Sequence, residues 1–178
     1  MVELQDRTTT PFDGIFAAMD AGTCDVVASS VSITDDRKKN MDFTEAYFDA
    51  EQSILTTKAN ASKFTSMESL KNQTIGVQSG TTGEEYVNSH KPSGSTVKAL
   101  PGASDLFAAL QSGTIAAVVQ DYPINAYRTT QDKNFVITEK IPTEEQYGMA
   151  VKKGNTETLD LLNKGLSTAK SDGTYDKL

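Results

Sequence analysis

Apolar runs of strand length alternate with segments of helical spacing along most of the chain, the signature of α/β units built on parallel strands. The pattern predicts strands over 2–4, 25–29, 53–57, 74–78, 97–100, 116–120, 135–138 and 148–151. Between them it predicts helices over 14–21, 66–70, 86–90, 104–111, 123–129 and 156–171. The first helix places Ile15, Phe16, Ala18 and Met19 on one face and stops at Gly22; the last repeats Leu159, Leu162, Leu166 and Ala169 and stops at Asp172-Gly173. Another helix opens at Thr34, whose hydroxyl can cap and whose successors Asp35 and Asp36 suit the positive end of the helix dipole. Looser connections are expected at 58–63 and 92–95.

The 178 residues allow one full domain or two small lobes. Hydrophobic residues make up 37% and charged residues 23%, which fits a folded protein rather than a disordered tail. Seventeen basic against 24 acidic side chains give a net charge of −7, which argues against a broad grip on nucleic acid phosphates and leaves small molecules or proteins as partners. A single cysteine excludes an internal disulfide and a cysteine-rich zinc site. No apolar run approaches the ~18 residues needed to span a bilayer, and the chain as given reads as carrying no signal peptide.

Three local constellations could carry chemistry. In the first, strand 74–78 runs through a glycine-bearing turn into a helix. Free N–H groups at a helix start attract anions, and Thr81 and Thr82 would add hydroxyls. The glycine-lysine string of a nucleotide P-loop is absent, and an ordinary capped turn fits the same residues. In the second, Ser29, Ser30 and Ser32 leave a buried strand and Arg37 follows one helical turn later. Together they could clamp a carboxylate, although a cap with a solvated basic face fits as well. In the third, Asp121 follows the apolar run 116–119, at the carboxyl end of a strand where open α/β sheets bind ligands. A helix cap before Pro123 is the plain alternative. Catalytic readings fare worse: Cys24 and His90 are the only residues of their kinds, reading as core and surface respectively, and no metal or cofactor site is expected.

These pieces together resemble the polar amino-acid solute-binding proteins of ABC importers. The matching strings include Phe12-Asp13-Gly14-Ile15, Ser29 to Arg37 (SSVSITDDR), Met41-Asp42-Phe43-Thr44-Glu45-Ala46-Tyr47, Ile75-Gly76-Val77-Gln78-Ser79-Gly80-Thr81-Thr82, Val118-Val119-Gln120-Asp121 and Tyr147-Gly148-Met149-Ala150-Val151. They run nearly end to end and in the family's order. The resemblance implies a two-lobe periplasmic-binding-protein-like (type II) α/β fold that closes on one polar L-amino acid, an ABC permease as partner, a periplasmic or extracytoplasmic location, and no enzyme activity. It also implies the roles of individual residues. Arg37, helped by Ser30 and Ser32, would bind the ligand α-carboxylate. Thr82 would add an N–H or hydroxyl, and Asp121 would take the α-ammonium. Phe12 would pack on the ligand side chain, with Gln78 and Gln120 near its tip.

Family members usually carry a strand, a loop and a helix before the point matching Met1. Residues 1–48 and 147–178 are therefore expected to form an incomplete lobe 1, and 49–146 a full lobe 2 carrying the hinge crossovers. A lobe lacking a central strand exposes backbone groups, so completion by another copy in a homo-oligomer is expected, and ligand binding by the monomer is in question. Two other functions share the fold: a dehydratase-like enzyme and the ligand-sensing domain of a receptor.

Overall fold

The computed structural model describes residues 10–177, so the strand expected over 2–4 lies outside them. The chain divides into two units. One comprises Gly14–Asp49 and residues 145–177, together with Thr10; the other comprises Pro11–Asp13 and Ala50–Glu144.

The second unit is built on strands β3 (Phe48–Thr57), β4 (Thr74–Gln78), β5 (Thr96–Leu100), β6 (Ala117–Asp121) and the first part of β7 (Phe135–Lys152), in the order β7-β3-β6-β4-β5. The expectation of parallel pairing holds at its centre: β4 runs parallel to both β5 and β6. It gives way at β3, which pairs antiparallel with β6 and aligns Gln52 with Asp121 and Ser53 with Gln120. Parallel strands need a crossover connection, and the helical segments 82–90 and 103–111 supply it between β4 and β5 and between β5 and β6.

Helices α3 (Thr82–His90), α4 (Ala103–Gln111) and α5 (Tyr122–Gln131) belong to this unit. The sequence of β4, TIGVQ, is buried on both faces, as a central parallel strand should be. On one face Ile54, Ile75, Val77, Ala117 and Val119 pack with Leu70 and Val87 of the α3 side. On the other, Leu55 and Val118 pack with Leu106, Leu110, Ile115 and Phe135. Gly76 makes room for that second layer: a Cβ there would lie 2.3 Å from Ile115 Cδ1 and 3.0 Å from Leu106 Cδ2.

In the first unit, β1 (Val26–Ser32) and the short β2 (Met41–Phe43) both pair antiparallel with the second part of β7. Around them are α1 (Ile15–Asp20), α2 (Asp35–Asn40) and α6 (Thr156–Ser171). Met19, Val27, Val31, Ala150, Val151 and Leu166 are buried. Asp42 ties β2 to the turn before α6: it accepts from Lys153 Nζ at 2.7 Å and from the Gly154 N–H at 2.8 Å. The lysine first, and then the backbone N–H, hold the Asp42 carboxyl below its usual range. A carboxylate lowered on folding stabilises the fold above its unfolded pKa, and that contribution fades as pH falls through the lowered folded value. Acid unfolding of Asp42→Asn should therefore show a shallower loss of stability below about pH 4 than the parent. Because Lys153 is half exposed, the difference should stay within about 1 kcal/mol. Denaturant midpoints measured across the acid range check this.

Candidate functional site

In the first unit, α2 begins with the expected cap: Thr34 Oγ1 accepts from the Arg37 N–H at 3.2 Å. Arg37 sits in the first turn of that helix, and its side chain is held in place. Nη1 donates to the Ser32 carbonyl at 2.8 Å, and the guanidinium lies over the Phe16 ring, 5.3 Å from its centroid. A guanidinium positioned by stacking and a backbone carbonyl has lost much of its rotamer freedom in advance, which suits a planar anion.

The three serines differ from one another. Ser29 is exposed. Ser30 has a φ of 51°, in the left-handed region, where β1 shifts register against β7 between Val27 and Val31. Ser32 is buried and donates to Glu145 Oε2 at 2.5 Å. Glu145 is thus a carboxylate partner of this group that the sequence did not suggest.

In the second unit, the turn from β4 into α3 is capped in detail. Thr81 Oγ1 accepts from the Glu84 N–H at 3.2 Å and donates to the Gln78 carbonyl at 2.7 Å, while the Gly80 N–H donates to Glu84 Oε2 at 2.8 Å. This is a variant of the capping box, and it engages the Thr81 hydroxyl inside the turn. The segment Pro11–Asp13 packs on the same turn. A Cβ on Gly80, which has a φ of +77°, would lie 3.1 Å from Asp13 Cα; half-buried Phe12 belongs to this segment.

Asp121 does not cap α5, although it occupies the N-cap position. Its side chain accepts instead from Gln52 Nε2 at 2.8 Å, and it is only 7% exposed. The same Gln52 nitrogen donates to Thr82 Oγ1 at 3.4 Å. A buried carboxylate is costly unless it is hydrogen-bonded, and here a neutral amide supplies the donor. Gln52 was not singled out from the sequence, where it stands just before an apolar run; only the pairing of β3 with β6 brings it opposite Asp121.

On the other face of β6, Gln120 Nε2 donates to Gln78 Oε1 at 3.2 Å, and Gln78 Nε2 donates to the Pro101 carbonyl at 3.1 Å. Asn125 secures the strand ends behind them, donating to Ser53 Oγ at 2.9 Å and to the Gln120 carbonyl at 3.3 Å. Within the second unit the structure therefore gathers Phe12, Gln78, Thr81, Thr82, Gln120 and Asp121 around the carboxyl ends of β4 and β6. Within the first it brings Ser32 and Arg37 together, with Ser30 two residues earlier on the same strand. No group of three or more metal-ligating side chains occurs among the described residues.

Comparison with known proteins gives the family of the chain. The bacterial extracellular solute-binding proteins, family 3, match residues 2–178. The chain is 35% identical over 158 residues to the ABC transporter glutamine-binding protein GlnH of Bacillus subtilis, covering 88% of this chain and 57% of that protein. It is 33% identical to a probable histidine-binding protein of Neisseria gonorrhoeae (94% and 64% covered) and 31% identical to ABC transporter arginine-binding protein 1 of Escherichia coli (96% and 71%). The chain thus spans about three fifths of the length of the first two relatives.

Among solved structures, a mutant of ArgBP from T. maritima superposes with a TM-score of 0.89 at 33% identity, covering 95% of this chain and 73% of that one. An ancestral arginine-binding protein bound to arginine gives 0.87 at 38% (96% and 76%). An ancestral amino acid-binding protein described as a precursor of cyclohexadienyl dehydratase gives 0.87 at 36% (96% and 74%). These neighbours bear out the two-lobe, type II α/β fold. Among the described residues no helix is long and apolar enough to cross a membrane, and family members are extracellular or periplasmic. The α/β fold and the match along residues 2–178 lead to one family: the chain belongs to the bacterial extracellular solute-binding proteins, family 3.

Proposed function

We propose that this chain binds a polar L-amino acid outside the cytoplasm for delivery to an ABC permease, and that it is not an enzyme. Asp121 takes the α-ammonium. Arg37 takes the α-carboxylate, with Ser30, Ser32 and Thr82 contributing donors. Phe12, Gln78 and Gln120 meet the ligand side chain, and Ser29 and Thr81 complete the ligand-binding set beside Ser30 and Thr82. The observation that carries this reading is the placement of Asp121: a buried carboxylate at the carboxyl end of a central strand, held by an amide rather than serving as a helix cap. The names of the relatives, which refer to glutamine, histidine and arginine, favour a ligand whose side chain carries nitrogen.

A ligand recognised through both of its backbone charges must carry both. The reading is tested by comparing each L-amino acid that binds with its desamino and its carboxamide analogues. Loss of either charge should weaken binding by at least tenfold; analogues that bind as well as the parent amino acid would overturn the assignment.

A further inference from the structure

We propose that Gln52 is a positioning residue for zwitterion recognition: its single amide nitrogen orients Asp121 and Thr82 in opposite chemical senses. The inference rests on the binding reading above and adds a residue that neither the sequence nor the relatives' names point to.

Three observations carry it. Gln52 is fully buried, on β3, directly opposite Asp121. Its Nε2 donates to Asp121 Oδ1 at 2.8 Å and to Thr82 Oγ1 at 3.4 Å. Its Oε1 lies against the first turn of α3, so close that a Cβ on Gly83 would come within 2.9 Å of it and within 3.3 Å of the Val119 carbonyl. The glycine therefore lets the helix start approach the amide, and the Asp121 carboxylate, which can only accept, fixes which way the amide faces.

An NH2 group can only donate. Towards Asp121 it favours the ionised carboxylate, the form that receives an ammonium. Towards Thr82 it occupies a lone pair of the hydroxyl, which directs the hydroxyl proton outward as a donor, the form that meets a carboxylate. One neutral side chain thereby prepares an acceptor for one ligand charge and a donor for the other. A carboxylate at this position would reverse both: it would accept from Thr82 and share a proton with Asp121.

Two variants separate positioning from mere support. Gln52→Met keeps the length of the side chain and removes its donor. Binding of the L-amino acid that the parent binds best, chosen among L-arginine, L-glutamine and L-histidine, should weaken by roughly tenfold or more, while binding of its desamino analogue, which keeps only the carboxylate that meets Thr82, should weaken by clearly less. Gln52→Glu supplies a donor only when protonated, so its affinity relative to the parent's at the same pH should fall as pH rises from 5 to 8. Equal loss for amino acid and desamino analogue in Gln52→Met, or a Gln52→Glu affinity as flat with pH as the parent's, would reduce Gln52 to a packing residue and overturn the inference. If the parent binds no member of a panel of L-amino acids, the binding reading fails rather than the role of Gln52.

Discussion

Arg37→Ala should abolish most of the affinity for the cognate amino acid, weakening it by at least about 30-fold. Removing one member of a hydrogen-bonded charge pair costs about 2–5 kcal/mol, and 1.4 kcal/mol corresponds to tenfold. The upper part of that range is expected, because the parent guanidinium is already oriented by the Ser32 carbonyl and the Phe16 ring. Arg37→Lys should recover only part of the loss, since an ammonium offers neither the planar fork nor the same stacking. Calorimetric titration of the three proteins checks the order parent, lysine, alanine. Far-UV circular dichroism should be unchanged, because Arg37 lies outside the buried core. An alanine variant that binds like the parent would remove Arg37 from the site.

Leu106→Ala should be the most destabilising of the single substitutions considered, at about 2–5 kcal/mol. Leu106 is fully buried between α4 and the sheet, in the layer formed by Leu55, Leu110, Ile115, Val118 and Phe135. Gly76 beneath it has no side chain of its own to fill the space vacated. The cavity should therefore persist and add its own cost to the lost burial. Leu161→Ala, at a position 49% exposed on α6, should change stability by no more than about 0.5 kcal/mol. Denaturant unfolding separates the two: the midpoint should shift for Leu106→Ala with the slope preserved, and hardly at all for Leu161→Ala. Equal shifts would contradict the assignment of the α4 face as core.

How much was legible in the sequence depended on whether an element is buried on a full face. Strand 74–78 and helix 156–171 were predicted end to end. The first is short, apolar and bounded by turn residues, and the second repeats its leucines at helical spacing and is closed by Gly173. The segment 135–152 was predicted as two short strands and is one of 18 residues. Its middle, TEKIPTEEQ, carries charges and a proline that argue against a strand, yet most of it stays partly exposed, so the extended backbone needs little apolar patterning. A left-handed Glu144, at a φ of 52°, stands within it where the second unit ends. The three-residue strand Met41–Phe43 was missed because it is shorter than any period and follows α2 without a loop.

The candidate site followed the same rule. Arg37, Thr81 and Asp121 could be named because they stand at ends of elements that the pattern defines. For Asp121 the sequence left a cap and a ligand site open, and the structure shows no side-chain cap bond there. Gln52, Glu145 and Phe16 were not legible as site neighbours. Their roles depend on pairings across distant parts of the chain: β3 with β6 for Gln52, Ser32 with a residue 113 positions later for Glu145, and a ring in α1 beneath Arg37 for Phe16.

The central claim is that this chain binds one polar L-amino acid through its backbone charges. Isothermal titration of the chain with a panel of L-amino acids tests it most directly. A one-to-one isotherm is expected for at least one member with a nitrogen-bearing side chain, lost in Asp121→Asn and in Arg37→Ala. No heat of binding from any member of the panel, or an isotherm that survives both substitutions, would contradict it.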